Sequence, residues 1–275
     1  MKLVCRQVRI IDGLGHVEEN ATLIIEQGHI TAVGQGVPIP KRGTVELDVH
    51  GLTVLPGLMD CHVHLCLGGE ADCGGALAQE AAAFNVLKAA VSAQKTLAAG
   101  FTTVRDVGCR DHTIIALRNA ISQGLHRGPR ILAAGQVICM TGGHARFIGR
   151  EADGPVDVTA AVRVQLAAGA DVIKFIASGG ILTEGTAPDH AQMTPEELSA
   201  GVSEARRAGR RVAAHAHGST GIRNAVLAGV QSIEHATLMD EDAASLMRTH
   251  GVYMVPTLSA LATTAACPMG CGIPH

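Results

Sequence analysis

Aromatic residues are nearly missing: four Phe, one Tyr and no Trp in 275 residues. That excludes the base-stacking platforms on which single-stranded nucleic acid is held. Neither charge sign dominates, with 22 Lys and Arg against 25 Asp and Glu. A net charge of −3 gives no electrostatic case for nucleic acid or an anionic membrane as partner. No cluster of Arg reads as a phosphate or polyacid pocket. No apolar run approaches the ~18 residues of a spanning helix, and residues 1–15 lack a signal-peptide core. The eight Cys include no Cys-X-X-Cys pair. They read as free or buried thiols of a reducing, cytoplasmic compartment. Cys267 and Cys271, near the C-terminal end, read as loop cysteines in preference to metal ligands.

What is present is a core. Hydrophobic residues make up 47% and charged residues 17%, enough for one large domain and a small appendage. Residues 1–51 form the expected small β domain. Leu3–Ile11, Ala21–Glu26, His29–Val33 and Thr44–Val49 are short β-prone runs, divided by Asp12-Gly13, Gln27-Gly28 and Gly34–Gly36. From residue 52 to 275 the pattern changes to helix, Gly, strand. Helical stretches end at Gly100, Gly169, Gly209, Gly229 and Gly251, and an apolar strand follows each. Gly takes the left-handed position after a helix cheaply. Thr194, Pro195 and Glu197 mark a helix start with a capping box. Seven strands are expected, near 53–60, 101–107, 130–135, 171–177, 211–216, 231–235 and 252–257. The alternation predicts a parallel α/β sheet, and seven units predict a TIM-like (β/α) barrel lacking its eighth. An open doubly wound sheet is the rival, weakened by the absence of Gly-X-Gly-X-X-Gly after the first strand.

Active sites of such barrels are built at the C-terminal strand ends. Those ends carry His62 and His64, Asp106, Lys174, His215 and His217, and His235. Residues two apart on a strand share a side, so His62 and His64 aim at one point, and imidazole is the commonest metal ligand. Lys174 lies in Asp171-Val-Ile-Lys-Phe-Ile-Ala177, flanked by apolar residues. A buried ammonium is costly, burial favours the neutral amine, and a neutral amine can add carbon dioxide to become a metal-bridging carbamate. The bland alternative is a Lys that snorkels or pairs with Asp106.

The segments LPGLMDCHVHL, TTVRD, DVIKFIASGGILT, VAAHAHG and SIEHA run in order from residue 52 to 236. Together they resemble the metal-dependent amidohydrolase superfamily, nearest its Xaa-Pro dipeptidase-like and imidazolonepropionase-related branch. The resemblance implies two divalent metal ions, usually zinc. His62 and His64 would hold one, His215 and His235 the other, and carbamylated Lys174 would bridge them. His217, two residues on and facing the same way, is the rival of His215 as ligand and would otherwise line the substrate pocket. His144 and Arg146 are further pocket candidates, with solvated loop residues as the equal alternative, and Asp106 would support the site from behind. The implied activity is hydrolysis of a C–N bond in a small amide or dipeptide-like molecule by a metal-bound hydroxide. Two alternatives stay open. One is a mononuclear deaminase or imidazolonepropionase-like cyclic-amide hydrolase, which lacks a bridging Lys. The other is a non-catalytic metal-binding protein. The resemblance also places a catalytic Asp after an eighth strand, and no Asp follows Asp242 here. The chain therefore reads as C-terminally truncated. Substrate, metal and oligomeric state, a homo-oligomer included, are left open by the sequence.

Overall fold

A computed structural model of the chain describes residues 2–39, 42–68 and 73–266. Cys267 and Cys271 lie outside the described residues. The chain divides into two compact units, Met1–Leu58 and Met59–His275.

The first unit is a sheet of β1 (Lys2–Ile11), β2 (Val17–Glu26), β3 (His29–Gly34), β4 (Thr44–Leu47) and β5 (Thr53–Val54). Its order is β3-β2-β1-β4, with β5 also on β1. Gln27 and Gly28 take φ of 51° and 80°, the two left-handed residues a tight hairpin turn requires. Cys5, Val8 and Leu23 form its core. The strand expected near 53–60 is two strands. Thr53 and Val54 pair with Arg9 and Ile10 of the small sheet. Pro56-Gly57 then interrupts the chain, and β6 (Leu58–Val63) begins afterwards. The division therefore falls after Leu58 and not at the expected residue 51.

The second unit alternates as the glycine pattern predicts. It contains α1 (Cys73–Gln79), α2 (Ala82–Ala98), β7 (Phe101–Asp106), α3 (Thr113–Ser122), β8 (Arg130–Ala133), β9 (Val137–Cys139), β10 (Gly149–Glu151) and α4 (Gly154–Ala168). There follow β11 (Val172–Ile176), α5 (Pro195–Arg207), β12 (Arg211–Gly218), α6 (Ser219–Ala228), β13 (Ser232–Leu238), α7 (Glu241–Thr249), β14 (Tyr253–Val255) and α8 (Leu258–Ala265). Gly100, Gly169, Gly209, Gly229 and Gly251 all take positive φ, between 64° and 94°. The capping box is complete: Thr194 Oγ1 accepts the Glu197 amide at 3.2 Å, and Glu197 Oε2 accepts the Thr194 amide at 2.8 Å.

Two sheets result, β6-β7-β8 and β10-β9-β11-β12-β13-β14, and the pairings β7–β8 and β9 through β14 are parallel. This is an α/β fold with parallel sheets. The strand expected at 130–135 ends at Ala133 as β8, paired with β7, and a further strand beyond the expected range, β9, pairs with β11. The break is at Gly135, φ 74°, where any Cβ would meet Gln165 Oε1 at 2.6 Å. Every residue of β11 is buried, as is β12 after Arg211, which is why these runs read as apolar throughout.

Candidate metal centre

The strand ends bring the expected imidazoles together. His62 ends up in β6 and His64 just past it. Their ring centroids are 5.2 Å apart, and His62 is 4.8 Å from His235. His215 lies 4.6 Å from His235, 4.8 Å from His217 and 4.6 Å from His144. All six imidazoles and Lys174 line one cavity of about 570 Å³, whose walls include Leu67, Phe147, Ile181 and Leu182. One ligand atom from each of His215, His217 and His235 lies within 4.8 Å of the others.

Each ring has one nitrogen already engaged. His62 Nδ1 is 2.8 Å from Glu234 Oε2, and His64 Nδ1 donates to the Gly108 carbonyl at 2.7 Å. His215 Nε2 donates to the Gly179 carbonyl at 3.0 Å. His217 Nδ1 and His235 Nδ1 meet the hydroxyls of Thr237 and Thr257 at 2.9 and 2.7 Å. The remaining nitrogen of each ring is left to act as a ligand, and a fixed second nitrogen is what orients a metal-binding imidazole. Burial keeps the rings neutral, as a ligand must be. It lowers His64 and His217 to about 4 and His144 to about 3, and holds His62, His215 and His235 well below the usual value.

Lys174 is 2% exposed at the centre of β11. Among the described residues its ammonium has neither ion pair nor hydrogen bond, so the paired alternative with Asp106 is not found. Burial brings its pKa down to about 8, against the opposing pull of the Glu234 carboxylate. Asp106 stands outside the cavity lining. Its carboxylate accepts the Leu65 and Gly108 amides at 2.8 and 3.1 Å, tying together the loops that follow β6 and β7. Burial pushes it up to about 7, although those two amides pull the other way.

Two features are absent from the sequence-based expectation. Glu234 is fully buried and accepts from three donors: His62, Arg105 Nη2 at 2.7 Å and Ser232 Oγ at 2.8 Å. The signal was available, since an acidic residue in an otherwise apolar strand obeys the argument made for Lys174. The second is backbone strain. His235 and Ala236 take φ of 75° and 55° where the β12–β13 register shifts. Non-Gly residues pay about 1–3 kcal/mol each for such conformations, which persist chiefly at functional sites. The irregularity breaks strict side-chain alternation, so Glu234 and His235 both reach His62.

Arg146 does not reach the cavity in this structure. Its side chain is exposed, with Nη1 3.5 Å from the Gly142 carbonyl, and it is absent from the cavity lining. The neighbouring Phe147 and Ile148 take the interior positions, because apolar burial there outweighs burial of an unpaired guanidinium. His144 does line the cavity. It is held by the Thr183 hydroxyl at 3.0 Å from Nδ1 and by Gln192 Oε1 on its amide.

The sequence profile described as "Amidohydrolase family" matches residues 53–274. The chain belongs to the amidohydrolase family. Among curated relatives, the ochratoxinase of Aspergillus niger is 33% identical over 92% of this chain. The chain spans 58% of that relative's length. Among solved amidohydrolase structures, a Xaa-Pro dipeptidase with bound methionine superposes at a TM-score of 0.88 with 35% identity, covering 100% of this chain and 71% of that one. A prolidase complexed with N-methylphosphonate-L-proline gives 0.89 and 34%, covering 100% and 70%.

Proposed function

We propose that this amidohydrolase-family chain contributes to hydrolysis of a C–N bond in a small amide or dipeptide-like substrate, at a centre of two divalent cations. The observation that carries this reading is the convergence of neutral imidazoles, each with one nitrogen free, around a buried, unpaired lysine. We read the seven β/α units as belonging to a TIM-like barrel. The names of the relatives, an ochratoxinase and two enzymes of the prolidase type, support the bond class.

The donor set fits such a centre. His62 and His64 would hold one ion and His215 and His235 the other. Lys174, whose amine burial has brought close to neutrality, would add carbon dioxide with loss of a proton and become the bridging carboxylate. Bound cations of this kind polarise a carbonyl and bring the pKa of a water to ~7; zinc suits imidazole-rich sites. The protein's own groups do the rest. Glu234 holds His62 in its tautomer and orientation. His217 and His144 offer neutral ring nitrogens to a substrate oxygen. Leu67, Phe147, Ile181 and Leu182 exclude water from the acyl group.

The test is metal content. Lys174→Ala is expected to reduce two ions per chain to one or fewer, and undiminished two-ion loading would sink the bridging role. A panel of dipeptides and N-acyl amino acids then tests the bond class. The three-imidazole group of His215, His217 and His235 favours a second reading, a single-ion hydrolase of the deaminase or imidazolonepropionase type. One ion per chain, lost with His217→Ala and indifferent to Lys174→Ala, would establish that reading.

A further inference from the structure

A second concave site lies at the opposite end of the same strands. Arg206 is in the last turn of α5, and Arg210 and Arg211 lead into β12. These three residues line a groove of about 440 Å³ together with Val202, Gln231 and Tyr253. Arg211 precedes His215 by four residues, about 13 Å along a strand, so the groove is separate from the imidazole cavity. None of the three guanidiniums has an ion pair or side-chain hydrogen bond among the described residues. The nearest carboxylate in sequence, Glu204, is already taken by Arg163 at 3.0 Å and Arg207 at 3.2 Å.

The helix dipole accounts for cations in the last turn of α5. It does not account for Arg210 and Arg211, which lie past that helix and add like charge to the same groove. The floor is built. Gln231 is locked at both ends of its amide, accepting the Val212 amide at 2.7 Å and donating to the Gly229 carbonyl at 2.7 Å. Tyr253, 72% exposed, stands at the rim.

We infer that this groove binds a small, multiply charged phosphate compound of about the size of pyrophosphate. Three planar forks of N–H donors around one concavity match phosphate oxygens bidentately, and the anion relieves the repulsion among the three cations.

The test is calorimetric titration of the chain with inorganic pyrophosphate, ADP and citrate at constant ionic strength. Pyrophosphate is expected to bind saturably at one site per chain. The double variant Arg210→Ala/Arg211→Ala should weaken it at least about tenfold, the loss expected for charge-assisted contacts. Arg211→Lys should recover part of that loss. His62→Ala/His64→Ala should leave binding unchanged, which separates this groove from chelation at the imidazole cavity. ADP binding as tightly as pyrophosphate identifies a nucleotide source, and weaker ADP binding a free phosphate compound. Three results would overturn the inference: equal pyrophosphate binding in the double variant, loss of binding in His62→Ala/His64→Ala, or tighter binding of citrate than of pyrophosphate.

Discussion

The two ends of β12–β14 hold opposite electrostatic designs. At one end six buried imidazoles, held by partners such as Glu234, Gly108 and Thr257, surround a buried lysine that has no partner among the described residues. At the other, three exposed guanidiniums have no ion pair or side-chain hydrogen bond among the described residues. Burial explains the difference. An interior penalises polar groups that are charged or left without hydrogen bonds. A surface tolerates bare charge because water screens it. The imidazole end should therefore be rigid and costly to alter, and the arginine end adaptable.

That contrast can be broken most forcefully at Glu234. Glu234→Ala leaves His62 and the Arg105 guanidinium without their acceptor in the interior. The expected loss is about 3–5 kcal/mol, the usual result of removing one partner of a buried pair, read from chemical denaturation. Metal affinity should fall roughly 10–100-fold with it, as for other groups that orient metal-binding histidines. A loss below 1 kcal/mol would mean that the carboxylate is not holding this end together.

Acid is the next lever, and it should act at the imidazole end alone. In the unfolded chain the imidazoles take up protons near pH 6.5. In the folded metal-free protein His64 and His217 resist protonation down to about 4. The unfolded state then binds more protons, so stability is present above pH 6.5 and is lost as pH falls from there toward 4. Each such ring contributes up to about 1.4 kcal/mol per pH unit in that window. Urea midpoints between pH 7 and 4.5 measure it. A flat profile would contradict the neutral-imidazole reading.

A smaller effect is expected at the start of α5, the helix that ends at the groove. Thr194→Ala removes the capping box and should cost about 1 kcal/mol, read as a lowered thermal midpoint. The smallest effect is at the arginine end itself. Arg210→Ala should change stability by less than about 0.5 kcal/mol, while its double variant with Arg211 changes pyrophosphate binding. A large destabilisation by Arg210→Ala would erase the contrast between the two ends.

Much of the fold is legible before any coordinates. The glycines at 100, 169, 209, 229 and 251 announce helix ends, and the apolar runs after them announce strands covered on both faces. His62 and His64 are legible as a pair because a strand repeats every two residues. Lys174 is legible because an ammonium among apolar neighbours needs a reason. Glu234 is open to the same argument, but its partner His62, 172 residues away, is not legible. The need for glycine at 135 was hidden because the atom a side chain there would meet, Gln165 Oε1, belongs to α4. Arg206-Arg207-Ala-Gly-Arg210-Arg211 is visible as a string, but nothing in the string marks it as a pocket, and the expectation that no Arg cluster forms an anion site is at odds with the groove inferred above. Only packing shows that Glu204 neutralises Arg207 while Arg206, Arg210 and Arg211 share a groove with Gln231 and Tyr253.

The sequence by itself determined the alternation of helices and strands and the residue types that could ligate a metal. Backbone preferences and side-chain periodicity act over a few neighbours, so a short window suffices to read them. Tertiary structure alone decided which nitrogen of each imidazole is free, that Arg146 faces solvent while Phe147 does not, and that unpaired arginines gather at the far strand ends. Those outcomes depend on hydrogen-bond partners and charges brought together from distant segments, and chain proximity carries no information about them.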